Sequence, residues 1–468
     1  MNQRIVKVID SGFILLLASV CILYSLYSSI FAEIHIRLPF LDFPIFVGEI
    51  LLFACAVWFI IRWGRLGFPR NKYGWLLLGY LVWLIAKALK GYVDYGPLAF
   101  RNAALFYYPL FAVFTGSITR NKQAHHRFVW IGIFVLIIII QLHGTFGYFF
   151  LPYFLLAVLC LLYFPDEKWK IAGLFAIAVV FPFYRLFDRG RAELSGILTA
   201  FVFLSIIVIR IFLPFNLKKR WIAGMIAASI LIGAGAFFAA DYKFATVANI
   251  PHWLKEYQKG DRIIQQKKDD FQRGTIDPKL YHSDREVIIA RGGEPKIPPE
   301  IHCKQKAVNT AYGNILFRLY IWRDILQEYW SGNRLTGVSF GRPLRSVSIE
   351  ILQMAWGEWS RDGWIMPHSV FMHIIYRAGL VGAVLIAGIF LAWGAMVQSF
   401  IRFHSFEGLL LCAILIYWLV VAAFSVTLEL PYQAIPFWSL WGCTWAYRQN
   451  LMNRTKAERR GNGPDDKR

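Results

Sequence analysis

The chain has 468 residues, of which 57% are hydrophobic and 17% aromatic, and its mean hydropathy is +0.48. This composition excludes an ordinary soluble enzyme and is typical of a membrane protein with many spans of about 20 apolar residues each. The formal charge of +21 would indicate a nucleic-acid partner in a soluble protein. Here no nucleic acid is expected, because much of the excess Lys and Arg lies in short loops and the tail, as the positive-inside rule requires.

The apolar runs predict an all-α polytopic membrane protein with about twelve transmembrane helices. Because the runs are continuous and do not alternate, they indicate helices and not barrel strands. The apolar run 369–400 is longer than one span needs, so its first turns are expected at the membrane interface or re-entering the bilayer. The predicted spans are 8–31, 43–63, 73–89, 99–118, 128–142, 147–164, 170–185, 192–215, 221–241, 369–400, 408–428 and 434–448.

Four regions follow from these spans. They are an N-terminal bundle of about nine spans (1–241), a long loop containing helices (242–368), about three C-terminal spans (369–448) and a basic tail (449–468) that is expected to be disordered. Lys and Arg in the short loops place the tail on the cytoplasmic side, so the long loop is extracytoplasmic. Cys303 is the loop's one cysteine, so no disulfide framework is expected there, and no Cys/His spacing predicts a metal site.

Several arginines lie on the predicted outer side of the membrane, where the positive-inside rule disfavours them. The short outer turn YRLFDRGRAE contains Arg189 and Arg191, where guanidinium groups could bind phosphate oxygens. Pairing with Asp188 and Glu193 is the structural alternative. Arg101 begins the fourth predicted span, again on the outer side, and snorkelling to lipid headgroups would also explain it.

Arg318 is a third outer arginine, in the segment NILFRLYIWRDILQEYW of the long loop. At about 100° per residue, Arg318 flanks the predicted buried stripe, so it requires an anion, either a ligand or a local carboxylate. After this segment, Gly337 and Gly341 permit a close backbone approach or a positive φ. The predicted buried stripe consists of Ile315, Leu319, Trp322, Leu326 and Tyr329.

His368 lies where the long hydrophilic loop ends and an apolar run begins. Its position in Pro367-His368-Ser369 is close to a predicted helix N-terminus, where anions are favoured. A titratable imidazole at a membrane surface indicates proton transfer, although an interfacial histidine without a chemical task is the alternative. His373 lies five residues further on, which places the two imidazoles too far around a helix for a metal pair.

The order of these motifs resembles that of the O-antigen ligase and O-antigen polymerase superfamily of integral-membrane glycosyltransferases. The shared order is an outer DRGRA turn, a loop with R-x-x-x-W and G-x-x-x-G, and H-S-x-F-x-H-x-x-x-R-x-G-L-V-G entering a span. The resemblance covers the topology of nearly the whole chain. Two departures from the family pattern are Asp188, where serine is common, and Ser369, where asparagine is common.

The resemblance implies a glycosyltransferase that moves a glycan from an undecaprenyl-diphosphate-linked donor to an acceptor sugar hydroxyl. Arg189 and Arg318 match the family's diphosphate-binding arginines, with Arg101 as a further match, and His368 matches its essential histidine. Arg191 and Glu429 are accessory candidates. The reaction would invert the anomeric centre without metal or other cofactor, on the periplasmic side of a bacterial inner membrane.

The acceptor stays open among lipid A core, a second lipid-linked repeat unit and a protein. A different class, a flippase or transporter of lipid-linked polysaccharide, also stays open. It would require charged residues deep in the spans, for which Glu49, Lys87 and Arg210 are the candidates. We see no internal repeat of the kind that many transporters have.

Overall fold

A computed structural model describes residues 3–37, 44–66, 72–119, 195–197, 199–200, 202–203, 250–273, 311–332, 334–344, 346–352 and 366–461. Most of these residues are helical, which confirms the predicted helical class. Besides loops, the described residues include a small hairpin of β1 (His35–Ile36) and β2 (Ile45–Phe46), which pair antiparallel with His35 opposite Phe46.

In chain order, the described α-helices are α1 (Gln3–Ala32), α2 (Val47–Leu66), α3 (Lys72–Tyr95), α4 (Leu98–Tyr107), α5 (Leu110–Thr119), α6 (Ile250–Gln272), α7 (Ala311–Ser331), α8 (Val347–Leu352), α9 (Val370–Arg402), α10 (Phe406–Ala423) and α11 (Pro431–Gly461). A short 3₁₀ helix, Thr427–Glu429, precedes α11.

The described helices coincide with seven of the predicted apolar spans. The helices α1 to α3 and α9 to α11 each match one span, whereas the span 99–118 is divided into α4 and α5. The division falls at Pro109, which has no N–H to donate and therefore interrupts the helical ladder. Of the other predicted spans, 192–215 is described at a few helical positions only, and the rest lie outside the described residues: 128–142, 147–164, 170–185 and 221–241.

Two described helices, Gly74–Tyr95 and Val370–Arg402, are long and apolar enough to cross a membrane. Along α3 many large apolar side chains point outward and are at least 55% exposed, a pattern opposite to that of a soluble helix and suited to contact with lipid. By contrast α10 is apolar and buried on nearly all sides, as a central helix must be. The outward residues of α3 are Trp75, Leu76, Val82, Ile85, Leu89 and Val93.

Local signals in the sequence explain several helix ends. Gly96 adopts a positive φ of 70° directly after α3, and Pro97 follows it, so the helix cannot continue. The Ser405 side chain caps α10 by accepting a hydrogen bond from Gly408 N at 3.2 Å. The tail expected to be disordered is helical up to Gly461, because residues 449–460 contain neither glycine nor proline.

The chain divides into two compact units. Unit 1 consists of Met1–Ala239, Ser339–Arg342 and Ala383–Arg468, and unit 2 consists of Ala240–Val338 and Pro343–Gly382. In unit 1, α5 packs closely on α11 where Gly116 lies against Gly442. The core of unit 2 is contributed by α6, α7, the loop after α7, α8 and the first turns of α9: Ile264, Phe317, Tyr320, Ile321, Ile325, Val338, Leu344, Ile349, Ile351 and Tyr376.

The predicted buried stripe of α7 is wrong. The buried residues are Phe317, Tyr320, Ile321 and Ile325, which lie on nearly the opposite face, and Leu326 of the predicted stripe is exposed. The physical reason is that the polar residues of α7 obtain partners inside the unit.

Asp324 is one of these inward polar residues. Its carboxylate accepts hydrogen bonds from Ser346 Oγ at 2.6 Å, from Ser348 N at 2.9 Å and from Ser348 Oγ at 2.6 Å, at the start of α8. Glu328 likewise accepts from the Tyr376 hydroxyl at 3.0 Å. Buried polar groups with such partners are tolerated in a core.

The contact between α5 and α11 predicts a specific sensitivity to one methyl group. A Cβ added at Gly442 would overlap Thr115 Oγ1 and Ala112 O, whereas one added at Gly394 in α9 would meet nothing within 4 Å. We expect Gly442→Ala to destabilise the protein by about 1–3 kcal/mol and to lower its thermal midpoint in detergent. Gly394→Ala is the matched control and should leave the midpoint unchanged or raise it. Equal midpoints for the two variants would contradict this packing.

Candidate active site

His368 lies in the short segment that leads into α9, and its backbone is unusual. Its φ of 51° is in the left-handed region, which costs free energy for a residue other than glycine. The next residue, Ser369, is buried and caps α9, because its Oγ accepts a hydrogen bond from Met372 N at 3.3 Å. The imidazole is thus held beside a capped helix N-terminus, as the sequence predicts.

Helix α7 holds this segment from the other side. Trp322 Nε1 donates to Pro367 O at 2.6 Å, which anchors the residue before the histidine. The Phe317 ring meets the His368 ring nearly edge-on, with centroids 5.8 Å apart and an interplanar angle of 74°. An aromatic ring against the imidazole excludes water from one of its sides.

Arg318 is the residue next to Phe317 on α7, and its charge reaches His368. Burial lowers the pKa of His368 most, and the Arg318 guanidinium lowers it further, to about 4. At neutral pH the imidazole is therefore uncharged and able to accept a proton. The structure thus brings together two residues that are fifty positions apart in the sequence, one cationic and one a neutral base.

The loop after α7 replaces a hydrogen bond that α9 lacks. Gly379 inside α9 has φ 58° and ψ −135°, which are not helical values. In a regular helix Leu380 N would donate to Tyr376 O. Instead Leu380 N donates to Arg334 O at 2.8 Å, and Tyr376 O accepts from Val338 N at 2.8 Å. Leu380 N and Tyr376 O, which the kink separates, are thereby both satisfied.

This exchange requires two glycines. Gly337 has φ 67°, and its backbone lies directly against the kink of α9. A Cβ on Gly379 would lie 2.5 Å from Gly337 N, and one on Gly337 would lie 2.6 Å from Arg377 C. The sequence predicted a close backbone approach or a positive φ at Gly337 and Gly341, and both occur at each, since Gly341 has φ 83° and lies against Tyr95 and Ala99.

Helix α9 carries a second pair of polar residues, His373 and Arg377, in its first turns. This pair was not assigned to the site from the sequence. Arg377 is 4% exposed, and its Nε donates to His373 Nε2 at 3.2 Å, which assigns the proton of that imidazole to Nδ1. Its guanidinium also lies over the Tyr376 ring, 5.0 Å from the centroid. The four-residue spacing of His373 and Arg377 places them on one helix face and is the signal that could have indicated the pair.

The other predicted residues are distributed differently. Arg101 on α4 and Glu429 in the 3₁₀ helix both belong to unit 1, where the Glu429 carboxylate acts electrostatically on the Arg101 guanidinium. Arg101 thus has a carboxylate of its own chain nearby, which would compete with a diphosphate. Arg189 and Arg191 lie outside the described residues.

In the part of the chain that the structure describes, no group of three His, Cys, Asp or Glu side chains is placed to hold a metal ion. Comparison of the chain with protein-family models, with curated proteins and with solved structures gives no match.

The kink in α9 predicts the effect of one substitution. We expect Gly379→Ala to separate the loop 334–338 from α9, because an added Cβ would lie 2.5 Å from Gly337 N and 2.7 Å from Arg334 O. The variant should exchange the Val338 and Leu380 amide hydrogens faster than the parent protein in hydrogen-exchange mass spectrometry. Gly388→Ala, on the same helix with nothing within 4 Å, is the control. Unchanged exchange in Gly379→Ala would contradict the loop's role.

Proposed function

We propose that the protein transfers a glycan from an undecaprenyl-diphosphate-linked donor to the hydroxyl of an acceptor sugar. The observation that supports this proposal is the proximity of Arg318 to a buried, uncharged His368 at the start of α9, a helix long enough to cross a membrane. A cation beside a neutral base suits a reaction with an anionic leaving group and a hydroxyl nucleophile. The motif order of the sequence indicates the same chemistry.

The proposed step is a single displacement at the anomeric carbon. The acceptor oxygen forms a bond to that carbon while its proton passes to a ring nitrogen of His368. The bond between the anomeric carbon and the diphosphate oxygen breaks, and its electron pair leaves with the lipid diphosphate. Arg318 stabilises the negative charge that develops there. The products are the extended glycan and undecaprenyl diphosphate, and the anomeric configuration is inverted.

Donor binding would also make His368 a stronger base. In the free protein the Arg318 charge opposes protonation of the imidazole. A diphosphate bound to Arg318 would offset that charge, so the pKa of His368 would rise towards the value suited to proton abstraction near neutral pH. The base would then be most effective when the donor is in place.

We further propose that the chain lies in a bacterial inner membrane, with about twelve spans and with His368 on the periplasmic side. Arg189 would supply a second guanidinium to the diphosphate, with Arg101 and Arg191 as further cations and Glu429 as an accessory carboxylate. The acceptor is a glycan. Lipid A core and a lipid-linked repeat unit both present a sugar hydroxyl, so either fits the proposed reaction. Transfer in detergent distinguishes this proposal from lipid transport, because a flippase alone forms no new glycosidic bond.

The first test removes the base. With purified protein in detergent and a lipid-diphosphate-linked donor, His368→Gln should lower the transfer rate by about 10²–10⁴-fold, as expected for loss of a general base. His252→Gln, on the exposed surface of α6, is the control and should retain the parent rate. Product is measured by mass spectrometry of the extended acceptor. Full transfer by His368→Gln would overturn the assignment.

The second test uses pH. A neutral His368 is required, so kcat/KM should fall as the pH drops through the pKa of the free protein, which is about 4. Arg318→Gln removes a charge that lowers this pKa, so the acidic limb should move upward, towards the ordinary value of 6.5. Arg318→Lys keeps the charge but loses the bidentate fork, so it should raise KM and leave the limb in place. Identical limbs in Arg318→Gln and the parent protein would contradict the coupling.

A further inference from the structure

A cluster of exposed side chains follows α7 in unit 2. Trp330 is 59% exposed and Leu335 is 69% exposed, although both are large and apolar. The Arg334 guanidinium lies over the Trp330 ring at 5.2 Å from its centroid. These residues, with Ser331, Gly332 and Thr336, line a cavity of about 360 Å³. We call this surface the Trp330–Thr336 patch.

The backbone of the patch is hydrogen-bonded to α9 at the level of Leu380 and Val381. Leu380 N donates to Arg334 O at 2.8 Å, and Val381 N donates to Leu335 O at 3.4 Å. The turns of α9 before this level are buried, with Ala378 fully inaccessible. From Leu380 onward several large apolar side chains are exposed, among them Leu380 at 51%, Val384 at 64% and Leu391 at 74%, whereas Met396 and Phe400 near the other end of the helix are buried.

The length of α9 beyond this level matches a bilayer. From Leu380 to Arg402 the helix rises by about 33 Å at about 1.5 Å per residue, and the hydrocarbon core is about 30 Å thick. Arg402 in the last turn suits the opposite headgroup layer. If α9 crosses the bilayer from Leu380, its first turns, Val370 to Ala378, lie outside the span, and the patch beside Leu380 would lie at the membrane surface.

The side chains of the patch suit that position. Tryptophan concentrates at membrane interfaces, where its ring is half immersed and its N–H is hydrated. Arg334 donates from Nε and Nη2 to Trp330 O, at 2.9 and 2.6 Å. A guanidinium has five N–H donors, so further donors of Arg334 can contact a lipid phosphate. The backbone bonds hold the guanidinium at the Trp330 ring.

We propose that the Trp330–Thr336 patch is a lipid-binding surface in which Trp330 and Leu335 enter the headgroup region and Arg334 binds the phosphate of an anionic phospholipid. This inference rests on the membrane placement of α9 that belongs to the proposed function, but not on glycan transfer. It concerns structural lipids and not the glycan donor. The contact would attach the loop beside the kink, and through it the start of α9, to the membrane surface.

Depth-dependent quenching tests the position of the patch. In a variant whose native cysteines are replaced, Leu335→Cys is labelled with an environment-sensitive fluorophore and reconstituted into nanodiscs of phosphatidylcholine and phosphatidylglycerol. Headgroup nitroxide lipids should quench this label more strongly than lipids with the nitroxide deep in the acyl chain, and more strongly than aqueous iodide. Dominant iodide quenching would overturn the proposal, and so would resistance to every quencher, which would indicate a protein partner.

A second exposed apolar position of unit 2 provides the matched control. Val347 on α8 is 52% exposed and has no link to α9 of the kind that Leu335 makes. A label at Val347→Cys should be quenched by iodide and little by nitroxide lipids. Equal lipid quenching at both positions would overturn the assignment to this patch. The inactive variant His368→Gln should preserve the pattern, so failure of glycan transfer and failure of lipid contact are distinguishable.

The role of Arg334 has its own test. Native mass spectrometry after controlled delipidation should show fewer retained phosphatidylglycerol molecules for Arg334→Gln than for the parent protein. Arg334→Lys, which keeps the charge, should retain an intermediate or equal number, and Arg262→Gln on the exposed side of α6 should retain the parental number. A loss as large in Arg262→Gln as in Arg334→Gln, or no loss in Arg334→Gln, would overturn the phosphate contact.

Discussion

Unit 2 depends on one exchange of backbone hydrogen bonds at the kink of α9. Gly379 prevents the helical bond between Leu380 N and Tyr376 O, and the loop after α7 supplies a replacement for each group. A buried peptide group without a partner costs about 1–3 kcal/mol, so the kink and the loop stabilise each other. Because the loop continues from α7 and the kink belongs to α9, the same bonds connect the two helices that hold the site.

The proximity of Arg318 and His368 follows from that connection. Helix α7 turns one face to the core through Phe317 and uses Trp322 to anchor Pro367, so the imidazole is fixed between a helix and a capped helix start. Burial and the neighbouring guanidinium then keep His368 uncharged. In the proposed reaction, an imidazole that stays neutral until the diphosphate binds would couple proton transfer to donor binding.

Part of this site was predictable from sequence and part was not. Arg318 and His368 were predicted because each is unusual at its position. Arg318 is a cation on the outer side, and His368 is a titratable imidazole at the start of an apolar run. The pair of His373 and Arg377 was not predicted, although its four-residue spacing on one helix face was readable from the sequence. The contact of Glu328 with Tyr376 was not readable, because it joins residues 48 positions apart on two helices. Hydrophobic periodicity also selected the wrong face of α7, since it counts polarity and cannot detect a carboxylate that caps α8.

The sequence by itself determined the helical class and the places of α1 to α3 and α9 to α11, because long continuous apolar runs admit no other structure in lipid. It also indicated that Gly337 permits a close backbone approach or a positive φ. Tertiary structure decided which face of α7 is buried, where α9 bends and which arginine lies near His368. Those features depend on hydrogen bonds and charges between residues distant in the chain, and no local pattern of polarity records such partners.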